Sequence, residues 1–192
     1  MSTNPSVRHA ALVGLVLAAA ATRLLPHPPN VTPVLAMALF GGAAFASRRL
    51  AFAVPLGAML VSDLVIGGST GASAFGFHPV QPFVYAALFA IVLLGRVSRP
   101  RRAGGVAAAS LVSSVGFFVV TNLGVWLVSG LYPRTAAGLS GCFVAALPFF
   151  RNTLLSTLGF AAILFALRAV VERGSERTDG EPAPSPVRRS GR

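Results

Sequence analysis

Long apolar runs separated by short polar breaks dominate the chain. Crossing hydrocarbon takes about 20 apolar residues at 1.5 Å per residue. Six runs qualify as candidates: 10–25, 31–47, 50–67, 80–95, 104–130 and one within 139–171. This pattern predicts an all-α, polytopic membrane protein, a six-helix transmembrane bundle forming one domain over residues 1–171. The second and fourth runs are short for a complete crossing. The last is long and holds Pro148, which suits a first helical turn. One arrangement therefore has a re-entrant or interfacial segment over Leu139–Leu147, followed by a helix from Pro148. Residues 172–192, rich in Arg, Pro, Ser, Gly and Glu, are expected to form a disordered cytoplasmic tail beside anionic lipid.

Composition excludes the soluble alternatives. Only 11% of residues are charged, against roughly 25% in soluble domains. Asp63 is the sole acid in the first 171 positions; Glu172, Glu176, Asp179 and Glu181 all lie beyond it. A soluble enzyme or free nucleic-acid-binding domain could not cover its surface with these residues. The net charge of +11 does not point to nucleic acid either. All 16 basic residues are arginine, which reads as coding bias, and they fall between apolar runs rather than along one face.

Their distribution sets an expected topology. Alternate loops hold Arg8; Arg48 and Arg49; Arg96, Arg99, Arg101 and Arg102; and the tail arginines from Arg168 onward. The opposite loops hold Arg23 and Arg134. The positive-inside rule then places both termini in the cytoplasm, as an even number of spans also requires. Arg8 and the apolar stretch up to the small residues before Thr22 resemble a cleavable signal peptide. More membrane span follows instead of a secreted domain, so the segment is expected to stay.

With topology assigned, the polar groups gather toward the outer half. The loop from Leu25 to Pro33 contains Pro26, Pro28, Pro29 and Pro33 and cannot be helical. It carries His27 and Asn30. Asp63 lies about a turn from the outer end of the third span; His78 and Tyr85 flank the fourth. Asn122 and Trp126 occupy the outer turns of the fifth, and Arg151 and Asn152 the outer end of the sixth. A charge in the bilayer costs at least about 2.5–3.5 kcal/mol unless it meets a partner or a cavity. Asp63 and Arg151, opposite in sign and similar in depth, are therefore expected either to lock two helices as an ion pair or to line an outward-facing pocket. Trp126 and Tyr85 have interfacial-belt roles as alternatives, and Asn122 and Asn152 interhelical hydrogen bonding.

Recognisable catalytic chemistry is missing. No GxxxxGK[ST] phosphate loop and no HExxH occurs, and no His/Cys pair has zinc spacing. The single cysteine, Cys142, excludes an internal disulfide. Gly71-Ala72-Ser73-Ala74 is faintly similar to a rhomboid serine motif, but His9, His27 and His78 all precede the later spans that would have to supply a base. The expectation is a protein without enzymatic activity or a resident cofactor or metal. One further pattern is a small-residue stripe in the first span, Ala10, Gly14, Ala18 and Thr22, of the kind that lets helices of two proteins approach closely.

Five blocks in order, Arg23–Gly42 (RLLPHPPNVTPVLAMALFGG), Pro55–Leu64, Gly76–Tyr85, Thr121–Leu127 and Tyr132–Leu154, resemble a bacterial membrane family assigned to transport. That family is similar to the S components of energy-coupling factor (ECF) transporters, six-helix vitamin binders with both termini inside. The resemblance covers residues 10–168 and implies a multi-pass protein of the bacterial cytoplasmic (inner) membrane. Solitary cobalamin-binding S components look closest, with His27, Asp63, Tyr85 and Arg151 at the matching positions. Those proteins ligate cobalt with a cysteine ahead of the tyrosine; this chain has Val80 there, with His78 nearby. The resemblance also implies docking of Ala10, Gly14, Ala18 and Thr22 on the membrane subunit of an ATPase module.

The resulting expectation is a binder of a small vitamin- or cofactor-like molecule, a corrinoid among the candidates, held by His27, Asn30, Asp63, His78, Tyr85, Asn122, Trp126, Arg151 and Asn152. In that arrangement Arg151 holds an anionic group and Tyr85 and Trp126 stack on a ring. The alternative is a non-transporting structural or assembly protein in which the Asp63–Arg151 pair only stabilises the bundle.

Overall fold

The computed structural model describes residues 5–70 and 79–179. These form six α-helices: α1 (Pro5–Ala21), α2 (Val34–Ala44), α3 (Arg48–Thr70), α4 (Gln81–Ser98), α5 (Ala103–Val128) and α6 (Ala136–Asp179), with a 3₁₀ turn at Thr22–Leu24. All except α2 are long and apolar enough to cross a bilayer. Large apolar side chains such as Leu17, Leu64, Phe89, Val112 and Ile163 face outward. A lipid environment accounts for that surface; water would not.

The second apolar run differs from its expectation. Only 11 residues of it are helical, about 16 Å, and every one is buried. The prolines before it explain the length, because they remove backbone donors and push their predecessors toward extended backbone. The chain thus enters the bundle as a loop and becomes helical only at Val34. α2 then packs against all five other helices. Its closest neighbour is α4: a Cβ on Gly42 would strike the Val92 carbonyl, and one on Gly95 would strike the Leu39 carbonyl. Only glycine on both sides permits this backbone approach. Leu12, Val16, Met37, Phe40, Leu88 and Val92 complete the core around it.

The last run also differs. It is one helix of 44 residues with Pro148 inside it, not a re-entrant piece over Leu139–Leu147 followed by a separate helix. Proline removes one backbone bond, but in an apolar surround no water competes for the remaining ones, so the helix continues. Residues 172–179, expected to be tail, prolong this helix; 180–192 lie outside the described residues.

Short connections bring the C-termini of α2 and α4 to the N-termini of α3 and α5, so Arg48, Arg49, Arg96, Arg99, Arg101 and Arg102 share one end of the bundle. Arg168 joins them. Its buried guanidinium donates to the Ala43 carbonyl at 3.0 Å and to Glu172 at 2.9 Å, and Arg8 of α1 reaches Glu172 at 3.3 Å. Arg96 donates to the Phe45 and Ala46 carbonyls at 3.4 and 3.1 Å. Two arginines thereby cover the carbonyl end of α2. At the opposite end α2 stops short while α3, α5 and α6 continue, and a void remains above Val34.

Candidate functional site

That void is a cavity of about 560 Å³, within the range of small-molecule sites. Its floor is the first turn of α2, Val34 and Leu35; its rim is the proline-rich loop, with His27, Pro29, Asn30 and Thr32. Met59, Asp63 and Ile66 of α3, Val84 of α4, Phe117 of α5, and Thr153, Ser156 and Thr157 of α6 complete the wall with Arg23 and Gln81. The loop is fastened to α6. Asn152 Nδ2 donates to the Pro29 carbonyl at 2.9 Å and Ser156 Oγ to the Asn30 carbonyl at 3.3 Å. Asn30 itself sits at φ +62°, a left-handed conformation that asparagine tolerates better than most residues.

The polar centre is an ion pair. Arg23 Nη2 lies 2.6 Å from Asp63 Oδ1, with the two side chains 10% and 6% exposed. Arg23 Nη1 also donates to Ser62 Oγ and, at 3.3 Å, to the Met59 carbonyl. Asp63 Oδ2 accepts from Gln81 at 3.2 Å and from the Tyr85 hydroxyl at 3.4 Å. Burying two charges is costly, and this geometry offsets the cost by filling the carboxylate's acceptor sites. The 3₁₀ turn after α1 carries Arg23 into the wall, beside the mid-helix face of α3.

The expected Asp63–Arg151 pair does not form: Arg23 is the partner of Asp63, and Arg151 is exposed. Helical phase explains the difference. Thr153, Ser156 and Thr157 share the cavity face of α6, and Arg151 lies about 200° around the helix from Thr153. Of the other expected site residues, His27 and Asn30 line the cavity, Tyr85 reaches it through Asp63, and Asn152 holds its rim. Asn122 instead donates to the Phe118 carbonyl of its own helix at 2.8 Å. Trp126 Nε1 donates to the Pro133 carbonyl at 3.0 Å and clips the α5–α6 turn. His78 lies outside the described residues. Val80, where the resemblance places a cobalt-ligating cysteine, is a buried valine, and its hydrocarbon side chain has no atom to ligate a metal. On α1, Ala10, Gly14 and Ala18 are exposed, while Thr22, in the 3₁₀ turn that follows, turns its hydroxyl to the Ala19 carbonyl at 2.7 Å.

The sequence reading missed Arg23, Gln81, Thr32 and the Thr153–Ser156–Thr157 face. The i, i+3, i+4 spacing of that trio in an apolar helix was the available signal. It also missed Ser110, Ser113 and Ser114, which are buried on α5 nearer the arginine end, away from the outer half where the polar groups were expected to gather.

A family model matches residues 3–178. The chain belongs to that family, DUF6580, a family of unknown function. No curated protein and no solved structure matches this DUF6580 chain. Its function must therefore be argued from the cavity.

Proposed function

We propose that this DUF6580 protein is the substrate-binding element of an uptake system in the bacterial cytoplasmic membrane, related in design to ECF S components. It captures a small vitamin- or cofactor-like molecule from the outer side. The observation that carries this reading is the cavity at the arginine-poor end, with apolar walls and a few convergent polar groups. The concentration of arginines at the other end supports an orientation with that end in the cytoplasm and the cavity facing out. The volume suits a molecule of one to three rings; a corrinoid macrocycle with its side amides would sit partly outside. Both Asp63 oxygens are taken by partners within the fold, which leaves that carboxylate unavailable as a general base and favours binding over catalysis.

Inward movement against a gradient needs coupling. Asp63 is the only carboxylate in residues 1–171, Glu172 lying at the arginine end, and one acid near one face makes no proton relay. A separate ATPase module docking on the exposed Ala10–Gly14–Ala18 face would supply the energy. Purified protein should show saturable thermal stabilisation by one member of a vitamin panel, and silence across the panel would contradict the reading.

One observation favours a second reading, a structural or assembly protein: both Asp63 oxygens are engaged within the fold. On that reading the Arg23–Asp63 pair serves stability alone.

A further inference from the structure

α2 is a half-helix buried on all sides, and its two ends are treated differently. At its carbonyl end, Arg168 and Arg96 donate to the Ala43, Phe45 and Ala46 carbonyls, so the negative pole of the helix is compensated. At its amide end the cap residue is Pro33, which offers no side-chain hydrogen bond. The first backbone bond there runs from the Met37 amide to the Pro33 carbonyl at 2.8 Å. The amides of Val34, Leu35 and Ala36 precede that bond and point along the helix axis toward the cavity, whose floor Val34 and Leu35 form.

A second observation is independent of the helix. Arg23 lines the same cavity, its side chain is nine-tenths buried, and its Nε proton is buried without a partner. Of its four Nη protons, three go to Asp63, Ser62 and the Met59 carbonyl, and the second Nη2 proton has no bond among the described residues. Thr153, Ser156 and Thr157 of α6 line the same cavity. Arg23 and Asp63 cancel in formal charge, which leaves the uncompensated positive pole of α2 and the unused Nε and Nη2 protons of Arg23 as the dominant features. Half-helix amide ends inside membrane proteins are suited to anionic substrate groups for this reason.

We propose that the ligand of this cavity carries an acidic group, a carboxylate or a phosphate, seated on the α2 amide end with Arg23 beside it. The inference rests on the uptake reading above and narrows its substrate class. The apolar wall of Ile66, Val84 and Phe117 takes the remainder of the molecule.

The test uses purified full-length protein and matched probes: nicotinate against nicotinamide, pantothenate against panthenol, biotin against its methyl ester, and pyridoxal phosphate against pyridoxal. The expected result is stabilisation by at least one acidic member, with its neutral counterpart bound about tenfold or more weakly. Thr32→Asp, at the rim just before the α2 cap, places a carboxylate of the protein's own near the same amides. It should keep or raise the melting temperature and abolish the response to the acid. Equal responses to acid and neutral partners would overturn this inference and leave the uptake reading standing. An acid preference that survives in well-folded Thr32→Asp would also overturn it. No response to any probe would overturn both.

Discussion

At the arginine end, Arg168, Arg96 and Arg8 are bound to helix-terminal carbonyls and to Glu172, and α2 and α4 meet there backbone to backbone at Gly42 and Gly95. At the other end α2 is missing, the Pro26–Pro33 loop stands in its place, and Arg23 and Asp63 form one wall of an open cavity. Both ends contain buried arginine. In the first, the guanidinium groups tie helices together; in the second, a single pair is held within a wall that continues into empty space. The comparison teaches that α2's length divides the molecule: where it runs, the bundle closes, and where it stops, a site opens.

The closed end should be the less forgiving. Gly95→Leu drives a side chain into the Leu39 carbonyl, where no flexible group can give way, and should cost more than about 3 kcal/mol, seen as loss of monodisperse protein after detergent extraction. At the open end, Arg23→Ala or Asp63→Ala alone leaves a buried charge without its partner and should cost about 3–5 kcal/mol by thermal or denaturant unfolding. The double replacement Arg23→Met with Asp63→Leu should recover most of that loss, because an apolar pair of similar volume removes the desolvation cost. Trp126→Phe, which gives up the bond to the Pro133 carbonyl, should cost about 1 kcal/mol. Arg151→Ala should change stability by less than about 0.5 kcal/mol, since that side chain is exposed. A large effect of Arg151→Ala would restore it as a partner in the bundle and break the comparison.

Much of the fold was legible because apolar runs of bilayer length have few alternatives. The prolines before α2 announced a loop that could not be helical. What they could not announce was that the following helix would be enclosed on every side, since that depends on glycines 53 residues apart, Gly42 and Gly95, meeting in space. The site was legible in its members Asp63, His27 and Asn30 but not in its pairing. Arg23 and Arg151 are the same residue type at similar inferred depth, and sequence depth alone does not fix which way each points. Phase would have excluded Arg151, because Thr153, Ser156 and Thr157 define the inward face of α6. Trp126 was misplaced for a different reason: its indole serves a turn whose geometry exists only once α5 and α6 are antiparallel.

The central claim is that the cavity bounded by Arg23 and Asp63 is wetted and opens away from the arginine end, toward the outside of the cell. Replacing the sole cysteine (Cys142→Ser) and adding Thr153→Cys in the cavity wall or Ser47→Cys at the arginine end gives two single-cysteine reporters. Labelling with a membrane-impermeant maleimide in intact spheroplasts should modify the residue introduced at 153, while the one at 47 should react only after lysis. Labelling at 47 from outside, or none at 153 before or after lysis, would contradict the account.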